Sequence, residues 1–256
     1  MRDNAPAWQS RSWDIRFDKG RHWRARLGFV LLAMEQTIED DVFSLAPPGV
    51  GVHFTRARMA NDVTVENLEA MASELAGAAA LLLPEGDLDV VCYACTSGSI
   101  VIGEERAMAE LSRGAPAARA TTLVTGVVRA LRALQAQRIV VATPYLDEIN
   151  VLETRYLEEQ GFDVLDIQGL NIRKDADMVH VAPDFILEFA RSLDRPDAEA
   201  IFVSCGALRT LDIVEELEQQ TRKPVVASNQ AMIWDTLRLA GVEDKIDGYG
   251  RLFRLH

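Results

Sequence analysis

Short apolar runs alternate with helical patterns along most of the chain. Runs that end in turn-forming residues are typical of buried parallel strands. Elsewhere apolar positions recur at helical spacing, as in the stripe of Leu68, Met71, Ala72 and Leu75 that follows the predicted cap residue Thr64. The pattern predicts strands over residues 25–33, 50–57, 88–94, 119–122, 139–142, 164–168, 200–204 and from 224 to 227.

The segments between these strands carry the signals of helices. Gly161 marks one helix end, and Pro183 stands at the start of another. The helices are predicted to begin near residue 35, to run from Cys95 through 111, and to cover 123–135, 147–160, 183–192, 212–220 and 229–240, besides the one that Thr64 caps. Strands that alternate with helices throughout predict an α/β fold with parallel sheets covered on both faces.

Two of the predicted strands lead into similar segments. One strand ends at Cys95 and the other at Cys205, 110 residues later, and the same shift lays residues 28–32 over 138–142. We therefore predict two pseudo-symmetric halves. The predicted divisions are an N-terminal extension over 1–23, a first half over 24–121 plus 226–256 that carries Cys95, and a second half over 122–225 that carries Cys205.

The extension contains two isolated tryptophans, Trp8 and Trp13, without clear periodicity. It is predicted to lie on the body of the protein or on a neighbouring subunit, with a disordered tail as the alternative. A homodimer is the oligomeric state that we expect for such an acidic α/β enzyme.

Composition and charge narrow the class of protein. A chain of 256 residues with 48% hydrophobic and 26% charged residues has the composition of a soluble globular protein. The net charge of −12 argues against a nucleic-acid or anionic-membrane partner, because phosphate binding needs a basic face. No apolar run approaches the ~20 residues of a membrane span, and the amino terminus lacks a signal-peptide core. The predicted location is the cytoplasm.

The sequence lacks the motifs of common cofactor sites. No G-x-G-x-x-G follows an early strand, no phosphate-binding P-loop occurs, and the four histidines show no metal-ligand spacing. Cys92 and Cys95 form a C-x-x-C pair, but residues three apart in a strand face opposite sides, so Cys92 is predicted to be a core residue. We predict neither a metal nor an organic cofactor.

The two thiols at equivalent strand ends are the candidate catalytic groups. Parallel sheets bind ligands beyond the carboxyl ends of their strands, so Cys95 and Cys205 are placed where chemistry takes place. Two thiols across a cleft address opposite faces of one carbon. That arrangement supports racemisation, and also thiolate addition to a double bond followed by rotation and elimination. The alternative is that both cysteines are small buried hydrophobic residues.

The residues that follow each cysteine offer backbone N–H groups and a helix start to a substrate carboxylate. The substrate-binding residues predicted for this reason are Thr96, Ser97, Gly206, Ala207 and Leu208.

These cysteine segments, Ala94–Ser99 and Val203–Thr210, resemble the paired motifs of the aspartate/glutamate racemase superfamily. Within it the chain is similar to the maleate cis-trans isomerase and arylmalonate decarboxylase branch, and it looks closest to that branch's ectoine-utilisation (EutA-type) proteins. The similarity covers residues 24–241 and includes Ala142–Leu146 and Pro224–Met232.

The resemblance implies an active site between two α/β halves, with no metal or cofactor. It implies that Cys95 is the nucleophile or first base and that Cys205 is the partner acid/base. Tyr145 matches a family tyrosine that contacts the substrate carboxylate, although a packing role at the loop edge is the alternative. Because the decarboxylases keep only the second cysteine, the presence of Cys95 favours an isomerase or racemase.

The chain departs from the family pattern at residues near the predicted site. Glu35, followed by Gln36, stands where maleate isomerases carry an asparagine, and Asp175 aligns with a second family asparagine. Glu35, Gln36 and Asp175 are therefore predicted to bind the substrate. A carboxylate in the pocket would repel the maleate dianion, whereas it would suit an ammonium group or a polar ring. The alternative is that Glu35 supports the first turn of a helix. Gly206 replaces a common threonine, which is expected to enlarge the site.

The predicted function is a cofactor-independent two-cysteine isomerase or racemase. It is expected to act at the carbon next to a carboxylate of a small acid, such as an amino acid or an ectoine-derived compound. The alternatives are a maleate cis-trans isomerase and a small-molecule binding protein without turnover.

Overall fold

The computed structural model describes residues 8, 10–84 and 86–256, and these form two four-stranded parallel sheets. The strand orders are β2-β1-β3-β4 and β6-β5-β7-β8, so the second sheet repeats the topology of the first. The strands are β1 (Ala25–Leu32), β2 (Val50–Ala57), β3 (Val90–Tyr93), β4 (Arg119–Thr122), β5 (Arg138–Thr143), β6 (Asp163–Gly169), β7 (Ala200–Val203) and β8 (Val225–Ala227). The predicted α/β fold with two similar parallel sheets is confirmed.

Helices connect the strands and cover the sheets. They are α1 (Ile38–Leu45), α2 (Val65–Ala70), α3 (Ala72–Ala79), α4 (Thr96–Ile102), α5 (Glu104–Gly114), α6 (Leu123–Ala133), α7 (Asp147–Glu159), α8 (Asp175–Met178), α9 (Pro183–Ser192), α10 (Val214–Thr221), α11 (Ser228–Leu239) and α12 (Gly250–Leu255). The helix predicted after Cys95 is divided in two at Gly103, whose φ of 88° interrupts the helical backbone. The short helix α12 was not predicted.

The register of the strands places the two cysteine segments equivalently. Strand β3 pairs with the central strand β1, and β7 pairs with the central strand β5. Cys95 and Cys205 each follow the third strand of their sheet, at its carboxyl end. The division at residue 225 falls on the first residue of β8, which pairs with β7, so the second sheet continues past that boundary.

Two clusters of buried apolar side chains form the core. One contains Cys95, Cys205 and Tyr145, and the other contains Cys92, which has no exposed surface. The separation of Cys92 from Cys95 follows from their positions on opposite faces of β3 and its extension. Cys92 therefore packs in the interior, away from the other two thiols.

The described part of the extension contains no helix or strand before β1. Trp8 and Trp13 are about three-quarters exposed, at 74% and 77%, so neither packs on the body of this chain. Packing on a neighbouring subunit stays a prediction, and residues 1–7 and 9 lie outside the described residues. Over the part of the chain that is described, no helix is both long and apolar enough to span a bilayer.

Candidate active site

The two cysteine loops meet at one small, tightly packed cavity, whose free volume of about 10 Å³ holds about one water molecule. Both Cys95 and Cys205 contribute to its wall, together with Tyr145. The other lining residues are Leu32, Glu35, Met59, Val63, Ala94, Thr96, Ser97, Asp175, Gly206 and Ala207.

Cys95 is the N-cap residue of α4. Its Sγ accepts a hydrogen bond from the Gly98 N–H at 3.2 Å and lies 3.7 Å from the Ser97 hydroxyl oxygen. The N–H groups of Thr96 and Ser97 stand in the first helical turn, where no acceptor exists within the helix. Burial raises the pKa of the Cys95 thiol to about 11, although the Gly98 N–H opposes the rise.

Cys205 lies on a turn with unusual backbone geometry. Its φ is 101°, a region that residues with a Cβ rarely occupy, and such strain is concentrated at functional sites. The Ala207 N–H donates to its Sγ at 3.4 Å, and the Met178 sulfur lies 3.8 Å away. Burial, and then the nearby Asp175 carboxylate, raise the pKa of the Cys205 thiol further than that of Cys95.

Ser228 connects the two cysteine loops. Its hydroxyl oxygen accepts the Cys205 N–H at 2.9 Å and lies 3.0 Å from the Thr96 hydroxyl oxygen. Ser228 begins α11 directly after β8 and is fully buried. One side chain therefore holds the loop of the first sheet in register with the loop of the second.

Glu35 both supports a helix and lines the cavity. Its Oε1 accepts the N–H groups of Gln36, Thr37 and Ile38 at 2.9, 2.6 and 3.0 Å, at the start of α1. Its other oxygen, Oε2, makes no hydrogen bond to any described residue. Burial raises the pKa of Glu35, whereas the three N–H groups and Arg56 oppose the rise. Glu35 therefore supports the first turn of α1 and also presents its side chain to the cavity, which are the two roles considered from the sequence.

Asp175 enters the cavity from the second half of the molecule. It is 5% exposed, and its carboxylate makes no hydrogen bond or ion pair with the described residues. Burial, and then the Glu35 charge, raise the pKa of Asp175 to about 6. Its backbone N–H donates to the Asn61 carbonyl oxygen at 3.0 Å, which fixes the residue against the loop after β2.

Two loops close the cavity by pairing across the halves. The loop after β2 meets the loop after β6, where Asp62 and Lys174 form an isolated antiparallel bridge. The Val63 N–H donates to the Arg173 carbonyl oxygen at 2.9 Å, and the Asp62 carboxylate accepts from the Arg173 Nε at 2.9 Å. Met59, Val63 and Asp175 on these loops reach the cavity.

The chain is similar to proteins of known activity. The family model described as arylmalonate decarboxylase matches residues 50–253, which is more than half of the chain. The chain belongs to the arylmalonate decarboxylase family. The maleate isomerase and arylmalonate decarboxylase branch predicted from the cysteine motifs is thereby confirmed, whereas the closer similarity to EutA-type proteins stays a prediction.

Relatives of two activities occur in this family. The chain is 32% identical to the arylmalonate decarboxylase of Bordetella bronchiseptica, over 86% of this chain and 99% of the relative. It is 30% identical to the maleate isomerase of Nocardia farcinica, over 90% of this chain and 95% of the relative.

One solved relative contains a covalent intermediate. It is a cysteine-to-serine mutant of the Nocardia farcinica maleate cis-trans isomerase with a covalently bound succinylcysteine intermediate. Its TM-score to this structure is 0.83 at 25% identity, with 91% of this chain and 99% of that chain covered. These relationships support cysteine-based isomerase or decarboxylase chemistry, and they confirm the predicted class, an isomerase.

The structure brings together most of the residues that the sequence nominated, but not all. Gln36 is exposed, and only its backbone N–H takes part, as a donor to Glu35. Leu208 is buried in the apolar core and does not line the cavity. Neither side chain lines the cavity, so their predicted role in substrate binding stays a prediction.

The expected enlargement at Gly206 is not found. A Cβ at this position would lie 3.0 Å from the Ile38 Cδ1 and 3.2 Å from the Asn229 Oδ1. The space that a larger residue would occupy is therefore already filled. Ile38 begins α1, which the sequence pattern does not connect with residue 206.

Three residues near the cavity were not found by sequence reasoning. Met59 and Val63 line it from the loop after β2, and the Thr37 hydroxyl donates to the Ala207 carbonyl oxygen at 3.0 Å. Their contacts join different halves of the molecule, so no local pattern reveals them. Among the described residues, no group of three or more His, Cys, Asp or Glu side chains is arranged to hold a metal ion.

Proposed function

We propose that this protein is a cofactor-independent isomerase that moves a proton at the carbon next to a carboxylate of a small acid. The observation that carries the proposal is the shared cavity. Cys95 and Cys205 come from equivalent strand ends of two sheets, and both line the same small space with Tyr145. A substrate bound there would contact both thiols.

Cys95 is the better candidate for the first base. Burial raises the pKa of both thiols, but that of Cys95 less than that of Cys205. The Gly98 N–H and the Ser97 hydroxyl stabilise the Cys95 thiolate. The Cys95 thiolate removes the proton from the carbon, and the electron pair passes into the adjoining carboxylate. The Cys205 thiol then donates its proton to the opposite face, which leaves Cys95 protonated and Cys205 ionised.

The carboxylate of the substrate needs donors that stabilise the added charge. The first-turn N–H groups of Thr96 and Ser97 are suited to this role, since they lack acceptors within α4 and line the cavity. The Tyr145 hydroxyl lies beside the Cys205 thiol and offers a further donor. Burial keeps the pKa of Tyr145 well above its ordinary value, so this hydroxyl remains protonated.

A cis-trans isomerisation is the second candidate, and the succinylcysteine intermediate of the relative favours it. In that reaction one thiolate adds to a carbon of the double bond, and the electron pair moves toward the carboxylate. Rotation about the new single bond follows. Elimination then restores the double bond and releases the thiolate.

The two candidates are separated by incubating the protein in D₂O with small acids and following them by NMR. Racemisation incorporates deuterium at the carbon next to the carboxylate, whereas isomerisation converts maleate into fumarate without obligatory exchange. Cys95→Ala and Cys205→Ala are each expected to abolish turnover while the circular dichroism spectrum is retained. Cys92→Ala, which removes the core thiol, is the matched control and should remain active. Near-normal turnover by either of the first two variants would refute the two-thiol proposal.

The predictions of a homodimer, a cytoplasmic location and an amino acid or ectoine-derived substrate go with this proposal. Size-exclusion chromatography with light scattering tests the oligomeric state.

A further inference from the structure

We infer that Glu35 and Asp175 form a subsite for a positively charged N–H group, so that the substrate is a small acid that also carries an ammonium or amidinium group. The inference rests on the proposed function, since it concerns the same cavity. It adds which charge the substrate bears and which side chains select it.

The first support is that both acids lie in the cavity wall without a neutralising contact. Glu35 and Asp175 are each 5% exposed, and no basic side chain lines the cavity in the described part of the chain. Neither carboxylate takes part in an ion pair among the described residues. Buried carboxylates in proteins are normally paired, so an unpaired couple facing an empty space points to a ligand that supplies the opposite charge.

The second support is that each acid keeps oxygens free for a ligand. The Glu35 Oε1 is occupied by three backbone N–H groups, whereas Oε2 has no hydrogen-bond partner among the described residues. The Asp175 carboxylate has none for either oxygen within the described residues. An ammonium or amidinium group offers two or more N–H donors and is able to bridge the two carboxylates.

Two basic side chains lie close to the acids, of which one is hydrogen-bonded to other groups and one is exposed to solvent. Arg56 lowers the Glu35 pKa through its charge, but its guanidinium donates to the Glu39 carboxylate at 2.6 Å and to the carbonyl oxygens of Leu32 and Glu35 at 3.2 Å. On the other side, Lys174 precedes Asp175 but is exposed. No basic side chain among the described residues therefore pairs with the two carboxylates before a ligand enters.

Charge balance then selects the class of substrate. A dicarboxylate would place two more negative charges beside Glu35 and Asp175, in a space from which much of the water is excluded. A zwitterion adds no net charge, because its own two charges cancel. Its carboxylate would contact the N–H groups of Thr96 and Ser97 while its cation faces the two acids. Both acids also raise the pKa of the Cys205 thiol, so a bound cation makes that thiolate easier to form.

The test compares isosteric ligands by titration calorimetry. The ligands are 2-, 3- and 4-aminobutyrate, each against the hydroxybutyrate of the same skeleton, with maleate as the dianion. At least one aminobutyrate is expected to bind about tenfold or more tightly than its hydroxy analogue and than maleate. Asp175→Asn and Glu35→Gln should each reduce that preference about tenfold, and the amide of the second variant is still able to accept the N–H groups of α1. Asp177→Asn, which removes an exposed charge from the same short helix, is the matched control and should keep the preference.

Several outcomes would overturn the inference. They are equal binding of the amino and hydroxy acids, no binding of any aminobutyrate, and a preference that both cavity variants retain. Binding does not depend on turnover, so Cys95→Ala should keep the preference for the aminobutyrate while it loses exchange. If no acid is turned over but the charge preference is found, the proposed function fails and the cation subsite stands.

Discussion

A buried carboxyl group behind the active site makes the stability of this protein depend on pH. Glu153 lies on α7 with no exposed surface, and neither of its oxygens has a hydrogen-bond partner among the described residues. The Ser204 hydroxyl lies close enough to favour the carboxylate slightly, but not in hydrogen-bonding geometry. Burial raises the pKa of Glu153 from 4.5 to about 7.

The size of the effect follows from this pKa difference. A group whose pKa is higher in the folded state stabilises the fold fully at pH values below its unfolded pKa. That contribution is lost as the pH rises through the folded pKa. At about 1.4 kcal/mol per pKa unit, ionisation of Glu153 costs the folded state about 2 to 3 kcal/mol more at pH 8 than at pH 5. Glu153→Gln removes this titration and leaves a neutral group of similar size.

Urea unfolding followed by circular dichroism measures the difference. Wild type and Glu153→Gln are compared at pH 5, 6, 7 and 8, and the variant is expected to gain about 2 to 3 kcal/mol relative to wild type over that range. Asp41 and Asp175, whose pKa values are about 7 and 6, titrate in both proteins and cancel in the comparison. Glu158→Gln, at an exposed position on the same helix, should show no such trend. A difference between wild type and Glu153→Gln that stays constant with pH would refute the reasoning.

Two further predictions concern the first cysteine loop. Because the Cys95 pKa is about 11, the rate of its alkylation by iodoacetamide should rise about tenfold per pH unit to at least pH 10. Mass spectrometry measures this rate, and a plateau below pH 9.5 would contradict the prediction. In Gly98→Ala the new Cβ would overlap the Tyr93 hydroxyl and lie 3.0 Å from the Cys95 Sγ. We expect a stability loss of about 1 to 3 kcal/mol and at least about tenfold slower turnover. Gly77→Ala, where a Cβ meets nothing within 4 Å, is the control, and normal turnover by Gly98→Ala would show that the loop tolerates displacement.

The sequence predicts the sheets well because their strands form apolar runs, and the central strands β3 and β7 are buried on both sides. Apolar runs with clear turn signals place β2 at Val50–Ala57 in both the prediction and the structure, and Pro183 fixes the start of α9. The weaker predictions concern backbone that local patterns do not specify. Gly103 was read as part of one helix, although its positive φ divides α4 from α5.

The residues that meet at the cavity were predictable only in part. Strand ends and the 110-residue repeat bring Cys95 and Cys205 to equivalent positions, so their approach follows from topology. The contribution of Met59 depends on the pairing of two loops from different halves, which leaves no periodic signal. Leu208 was nominated by its distance from Cys205, but a turn with positive φ directs it into the core.

The acids and thiols of the cavity are best understood as one electrostatic unit. Without ligand, burial together with the Asp175 charge keeps the thiol pKa values of both Cys95 and Cys205 above the ordinary value, so neither sulfur is mainly ionised near neutral pH. A cation bound between Glu35 and Asp175 would cancel the charges that oppose thiolate formation. Substrate binding then removes the contribution of the Asp175 charge to the two thiol pKa values, and a neutral acid of equal size fills the cavity without doing so. The proposed selection for a charged nitrogen therefore acts on the rate as well as on the affinity.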